Sequence, residues 1–102
     1  MNKDLEEFLD RNFGVRPAAQ TDSLIDPFEN LKNLLTHRIK HFIRTDLDKL
    51  LQALYRIDIN DKESDKAFEL GDIDLVAEAL SELIIKRQLK KIEYAKNFKG
   101  DL

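Results

Sequence analysis

From Ile73 to Lys99 the chain runs without a single proline or glycine, and no other feature limits the fold as strongly. In a stretch with no breaker each added residue extends one helix by a hydrogen bond, a gain that Gly or Pro would interrupt. The spacing predicts a last helix from about Ile73 to Phe98, roughly 40 Å long. Its first half aims Ile73, Val76, Ala77, Leu80, Leu83 and Ile84 at a core. In its second half Arg87 and Lys91 fall on the line that Val76, Leu80 and Ile84 would extend. Ile85, Leu89 and Ile92 form a separate stripe, roughly 150° round the helix. A helix apolar on two sides must bury both. The second stripe either receives the N-terminal segment or meets another copy of the chain, and self-association is the simpler expectation. Ile85, Leu89 and Ile92 are therefore the candidate interaction residues.

Upstream, the sharpest local signal is Asp26-Pro27-Phe28-Glu29. Asp caps free amides, Pro suits the first helical position, and the acid three places on favours a capping box. A helix starts here, with Leu31, Leu35, Ile39 and Phe42 on one line. That line fails at Asp46, and Leu47, Leu50, Leu54 and Ile57 resume about 80° further round. With Thr45-Asp46-Leu47-Asp48 reading as an N-cap, the pattern predicts a break or sharp kink near Thr45 and a second helix over about 46–58. The polar run Asn60-Asp61-Lys62-Glu63 marks a turn. A short helix follows with Ala67, Phe68 and Leu70 as contacts, then Gly71 as a stop and Asp72 as the next cap.

Before residue 26 the chain is less determined. Leu5, Phe8, Leu9 and Phe13 share a helical face bounded by Asn2 and Gly14, and residues 14–23 read as a linker. A helix of about 11 residues is marginal alone in water, so this segment either docks on the body or is a disordered recognition segment. The expected organisation is an accessory N-terminal helix and linker over 1–25, a helical domain over 26–98 and a tail over 99–102. No stretch alternates convincingly as a strand and no repeat is visible. The fold class is all-α: a small bundle with a long C-terminal helix.

With 102 residues, 42% hydrophobic, one core is the limit. The absence of cysteine excludes disulfides, thiolate-bound zinc and a Cys nucleophile. The start, MNKDLEEFLDRNF, has four acids by position 10 and no apolar run that would serve a signal peptide, and no stretch approaches a membrane span, so the expected location is cytoplasmic and no membrane is a partner. Charge falls in blocks: net −4 over 1–31, +4 over 32–45, −7 over 46–82 and +5 over 83–100. Opposite blocks can meet within a bundle or across a dimer, guiding register more than supplying stability.

Chemical signals are few. His37 and His41 are one turn apart, a spacing that lets two imidazoles share a metal, but Arg38 and Lys40 oppose a cation and no further ligand is nominated. A solvated pair is the favoured reading. Asp58, Asn60 and Glu69 imitate the first, third and twelfth places of an EF-hand loop. Lys62 and Glu63 stand where a ligand and the turn glycine belong, which argues against calcium. A helix-turn-helix around Gly71 would open its recognition helix with Asp72, Asp74, Glu78 and Glu82, which repel phosphate. The more credible polyanion contacts are Lys86, Lys90, Lys91 and Lys96, joined by Arg87 and Lys99, with Tyr94 and Phe98 for stacking. A Lys-rich end is, however, what any helix prefers near its negative dipole terminus. In Tyr55-Arg56-Ile57-Asp58, Arg56 and Asp58 are expected to bond other elements, with Tyr55 as a partly buried neighbour. No Gly-rich elbow or phosphate loop appears, so no catalytic residue and no cofactor is expected.

The stretch Asp46–Ile92, especially Leu54-Tyr55-Arg56-Ile57-Asp58-Ile59 and Leu83-Ile84-Ile85-Lys86-Arg87-Gln88-Leu89, resembles a group of short uncharacterised bacterial helical proteins. The resemblance covers about half the chain and implies an all-helical fold with no activity and no functional residue to carry over. The functional expectation is a non-catalytic interaction or regulatory module, a homodimer or other homo-oligomer or a binder of another protein, pairing through its C-terminal helix. The alternative is a nucleic-acid-associated factor using the basic end of that helix.

Overall fold

Side chains that accept free backbone N–H groups mark where several helices of this chain begin. A computed structural model describes residues 3–16 and 26–100, apart from the side chains of 27 and 96–100. Among the described residues there are five helices and no strand: α1 (Lys3–Phe13), α2 (Pro27–Thr45), α3 (Leu47–Arg56), α4 (Asp61–Phe68) and α5 (Ile73–Gly100). The expected cap at Asn2, most of the linker, and the contacts of Lys96, Phe98 and Lys99 lie outside the described residues.

α2 starts as its residues dictate: the Phe28 N–H donates to the Asp26 carboxylate at 2.7 Å, with Pro27 at the first position. The break comes one residue later than Thr45. Asp46 closes α2, its N–H donating to the Phe42 carbonyl at 2.7 Å, and opens α3, its carboxylate accepting from the Lys49 N–H at 3.2 Å. Thr45 stays helical and its hydroxyl donates back to the His41 carbonyl. α3 ends in a Schellman motif: the Asp58 N–H donates to Tyr55 and the Ile59 N–H to Leu54, with Asp58 left-handed at φ 61°. Asn60 caps α4, and Asp72 caps α5 by accepting from the Asp74 and Leu75 amides.

The first helix docks. Leu5 and Leu9 have no exposure, Phe13 is buried too, and all three join one core with Leu31, Leu35, Ile39, Leu50, Leu80 and Ile84. α1 packs on both α2 and α5. Two anchors hold its C-terminal end: Arg38 Nε donates to the Phe13 carbonyl (2.9 Å) and Arg56 Nε to Asn12 Oδ1 (3.1 Å). The chain turns away at Gly14, whose φ of +68° suits a residue without Cβ.

α2 lies antiparallel against α5, the principal pairing of the bundle. Lys32 bonds Glu82 (2.7 Å), Thr36 bonds Ser81 (2.8 Å) and Lys40 bonds Asp74 (2.8 Å). The basic block of 32–45 thus meets the acidic block of 46–82 within a single chain. Ser81 is fully buried and its hydroxyl donates to the Ala77 carbonyl while accepting from Thr36, so the polar contact inside this interface is satisfied.

Two expected core positions are surface positions. Leu47 is 43% exposed because α3 packs through Leu50, Ala53 and Leu54, which turns Leu47 outward. Leu70 lies beyond the end of α4 and is half exposed, leaving Ala67 buried and Phe68 partly so.

Candidate interaction surface

The three residues of the second stripe on α5 do not stand free. Ile85 is only 4% exposed, so it belongs to the core of the single chain. The physical reason is that burial rotates along α5, from Val76 and Leu80 through Ile84 and Ile85, as the rod passes from one neighbour to the next. Leu89 and Ile92 are partly buried and pack against the same core. Only one flank of the expected surface survives, an apolar cleft in which Phe28, 39% exposed, faces Ile85 and Leu89 between Lys32, Glu82 and Lys86.

Lys91 explains its own position on a core-facing line. Its ammonium donates to the Ile57 carbonyl (3.3 Å) and lies 3.7 Å from Asp58 Oδ2, so it stabilises the C-terminal end of α3. Of the expected polyanion contacts among the described residues, Lys91 is thus the one tied to another helix. Lys86, Arg87 and Lys90 are exposed, and the Lys96 side chain is outside the described residues. Arg56 and Asp58 both reach other elements, Arg56 to the neutral amide of Asn12 on α1 and Asp58 to Lys91 on α5.

The surface that sequence reasoning missed is on α3. Leu47, Leu51 and Tyr55 follow each other at i, i+4 and i+8 and are 43, 44 and 83% exposed. Tyr55, expected to be partly buried, stands almost wholly in solvent. The signal was present in the sequence: with Leu50, Ala53 and Leu54 these residues make an apolar arc wider than packing on α2 requires.

The shifted ionisable groups lie at the α2–α5 interface and not on this face. Lys32 is raised above the ordinary lysine value, first by its hydrogen bond to Glu82 and, against some burial, by the charges of Glu82, Glu78 and Glu29. Asp74 is lowered by its hydrogen bond from Lys40, then by the charges of Lys40 and Arg44. Among the described residues no three His, Cys, Asp or Glu side chains gather to hold a metal ion, and no helix is long and apolar enough to cross a membrane. Compared with family models, curated proteins and solved structures, the chain matches none.

Proposed function

We propose that this protein is a non-catalytic helical interaction module that works in the cytoplasm and self-associates. The observation that carries the reading is the exposed row Leu47, Leu51 and Tyr55 on α3. Three large apolar side chains aligned at helical spacing are what one helix presents to another. A two-fold pairing centred on Leu51 sets Leu47 of one copy against Tyr55 of the other, so the same patch serves both sides of an isologous contact. The row is narrow beside the roughly 1,200–2,000 Å² buried in stable complexes. Association is therefore weak and concentration-dependent.

Sedimentation across a concentration series tests this. The chain should gain mass with concentration, Leu51→Asp should hold it at monomer mass, and helical circular dichroism should be unchanged because Leu51 is outside the core. Loss of association in Leu89→Asp but not in Leu51→Asp would move the interface to the Phe28–Leu89 cleft. Monomer mass at every concentration would overturn self-association. The nucleic-acid alternative rests on exposed Lys86, Arg87 and Lys90. It predicts binding to generic DNA or RNA that weakens steeply with salt and is lost when Lys86 and Lys90 are neutralised.

A further inference from the structure

The basic block of α2 is divided between two sides of the helix. Lys32 and Lys40 face α5 and are matched there by Glu82, Glu78 and Asp74. On another side, His37, Arg38 and His41 line an open cleft of about 280 Å³ bounded by the turn that ends α1, Gly14 to Arg16. Its apolar floor is Leu34 and the buried Val15. Among the described residues no carboxylate lines it.

Arg38 is held in place before any ligand arrives. Arg38 donates from Nε to the Phe13 carbonyl at 2.9 Å, and its guanidinium lies 4.8 Å from the centre of the Phe42 ring. Among the described residues neither terminal nitrogen has a hydrogen-bond acceptor, and Nη2 is 3.6 Å from where a Gly14 methyl would stand. Arg16, at the rim, is exposed and pairs with Asp10 at 3.0 Å. The imidazoles of His37 and His41, a helical turn apart, complete the wall. Ordering Arg38 in advance lowers the entropic cost of binding.

From this geometry we infer that the cleft between α1 and α2 is a binding site for a compact phosphate monoester. A cation is opposed by two guanidinium groups, and the histidine pair has no third metal ligand among the described residues. The planar fork of arginine suits the oxygens of a phosphate, and neutral or charged imidazole adds N–H donors. The volume lies near the lower end of small-molecule clefts, roughly 300–1,000 Å³, which fits a single small ester and not a nucleic-acid strand. The weak interface on α3 is not involved, so the site stands or falls independently of self-association.

The test is a titration of the full chain with inorganic phosphate and with glycerol 3-phosphate, followed by the imidazole NMR signals of His37 and His41. Sodium chloride and acetate are run at matched ionic strength. Saturable shifts of both rings with the two phosphates, but not with chloride or acetate, are the expected result. Arg38→Gln should weaken binding about tenfold or more, as loss of a charge-assisted contact implies. His41→Asn, which leaves the Arg38 anchors intact, should also weaken it, and Lys90→Gln should not. Saturation by acetate alone would overturn the phosphate assignment. Shifts that rise linearly with every salt, or that survive both Arg38→Gln and His41→Asn in folded protein, would overturn the site.

Discussion

Asp58 is the residue at which backbone preference and side-chain chemistry compete. Its φ of 61° is a conformation that L residues other than Asn and Asp seldom take, because Cβ crowds the following carbonyl. Its carboxylate is 75% exposed and 3.7 Å from Lys91, so the ion pair returns little in solvent. Backbone strain therefore decides the outcome. Asp58→Gly should raise stability by about 0.5–1 kcal/mol, while the β-branched Asp58→Val should lower it by at least ~1 kcal/mol, both read as urea midpoints. An Asp58→Gly variant less stable than the parent would show that the Lys91 contact outweighs the strain. The sequence marks Asp58 as a turn residue but gives no sign of Lys91, since the two are separated by α4 and come together only when α5 folds back along the bundle.

At the scale of elements, what the chain reveals in advance depends on whether one helix or two determine the answer. The start of α2 is legible because Asp26, Pro27 and Phe28 act within one turn. The α2–α3 break is legible to within a residue, since Thr45 and Asp46 are both competent caps and only the folded backbone selects Asp46. The docking of α1 is not legible, because Leu5, Leu9 and Phe13 present the same face whether that helix finds the body or not. For the same reason the second stripe of α5 suggests a partner chain, although Ile85 is covered within one molecule. With α1 part of the common core, Leu9→Ala should destabilise the whole chain by about 2–5 kcal/mol. Calorimetry should show one transition at a lower temperature. Loss of α1 alone, with the main transition unmoved, would show that it folds as a separate unit. The α3 row was hidden by a counting assumption: a periodicity that names Leu47, Leu50, Leu54 and Ile57 as one face does not say how many of them a short partner helix will cover.

Across the whole molecule, the pairing of basic and acidic blocks along α2 and α5 predicts how stability responds to pH. Asp74 is depressed in the folded chain, so its contribution is present above the ordinary aspartate value and is lost as pH falls through the lowered one. Lys32 is raised, so its contribution is complete below the ordinary lysine value and is lost as pH climbs through the raised one. Melting temperature should therefore be flat with respect to these two groups around neutrality and fall at both extremes. Asp74→Asn should flatten the acid limb and Lys32→Met the alkaline limb. An unchanged acid limb in Asp74→Asn would mean that other carboxylates govern acid unfolding. Both effects are small, since these ion pairs border solvent.

Asp46 serves as the last cap of α2 and the first of α3, so the two helices meet with no slack between them. Anything that grips the outer face of α3 thereby takes hold of a short crank whose shaft is α2.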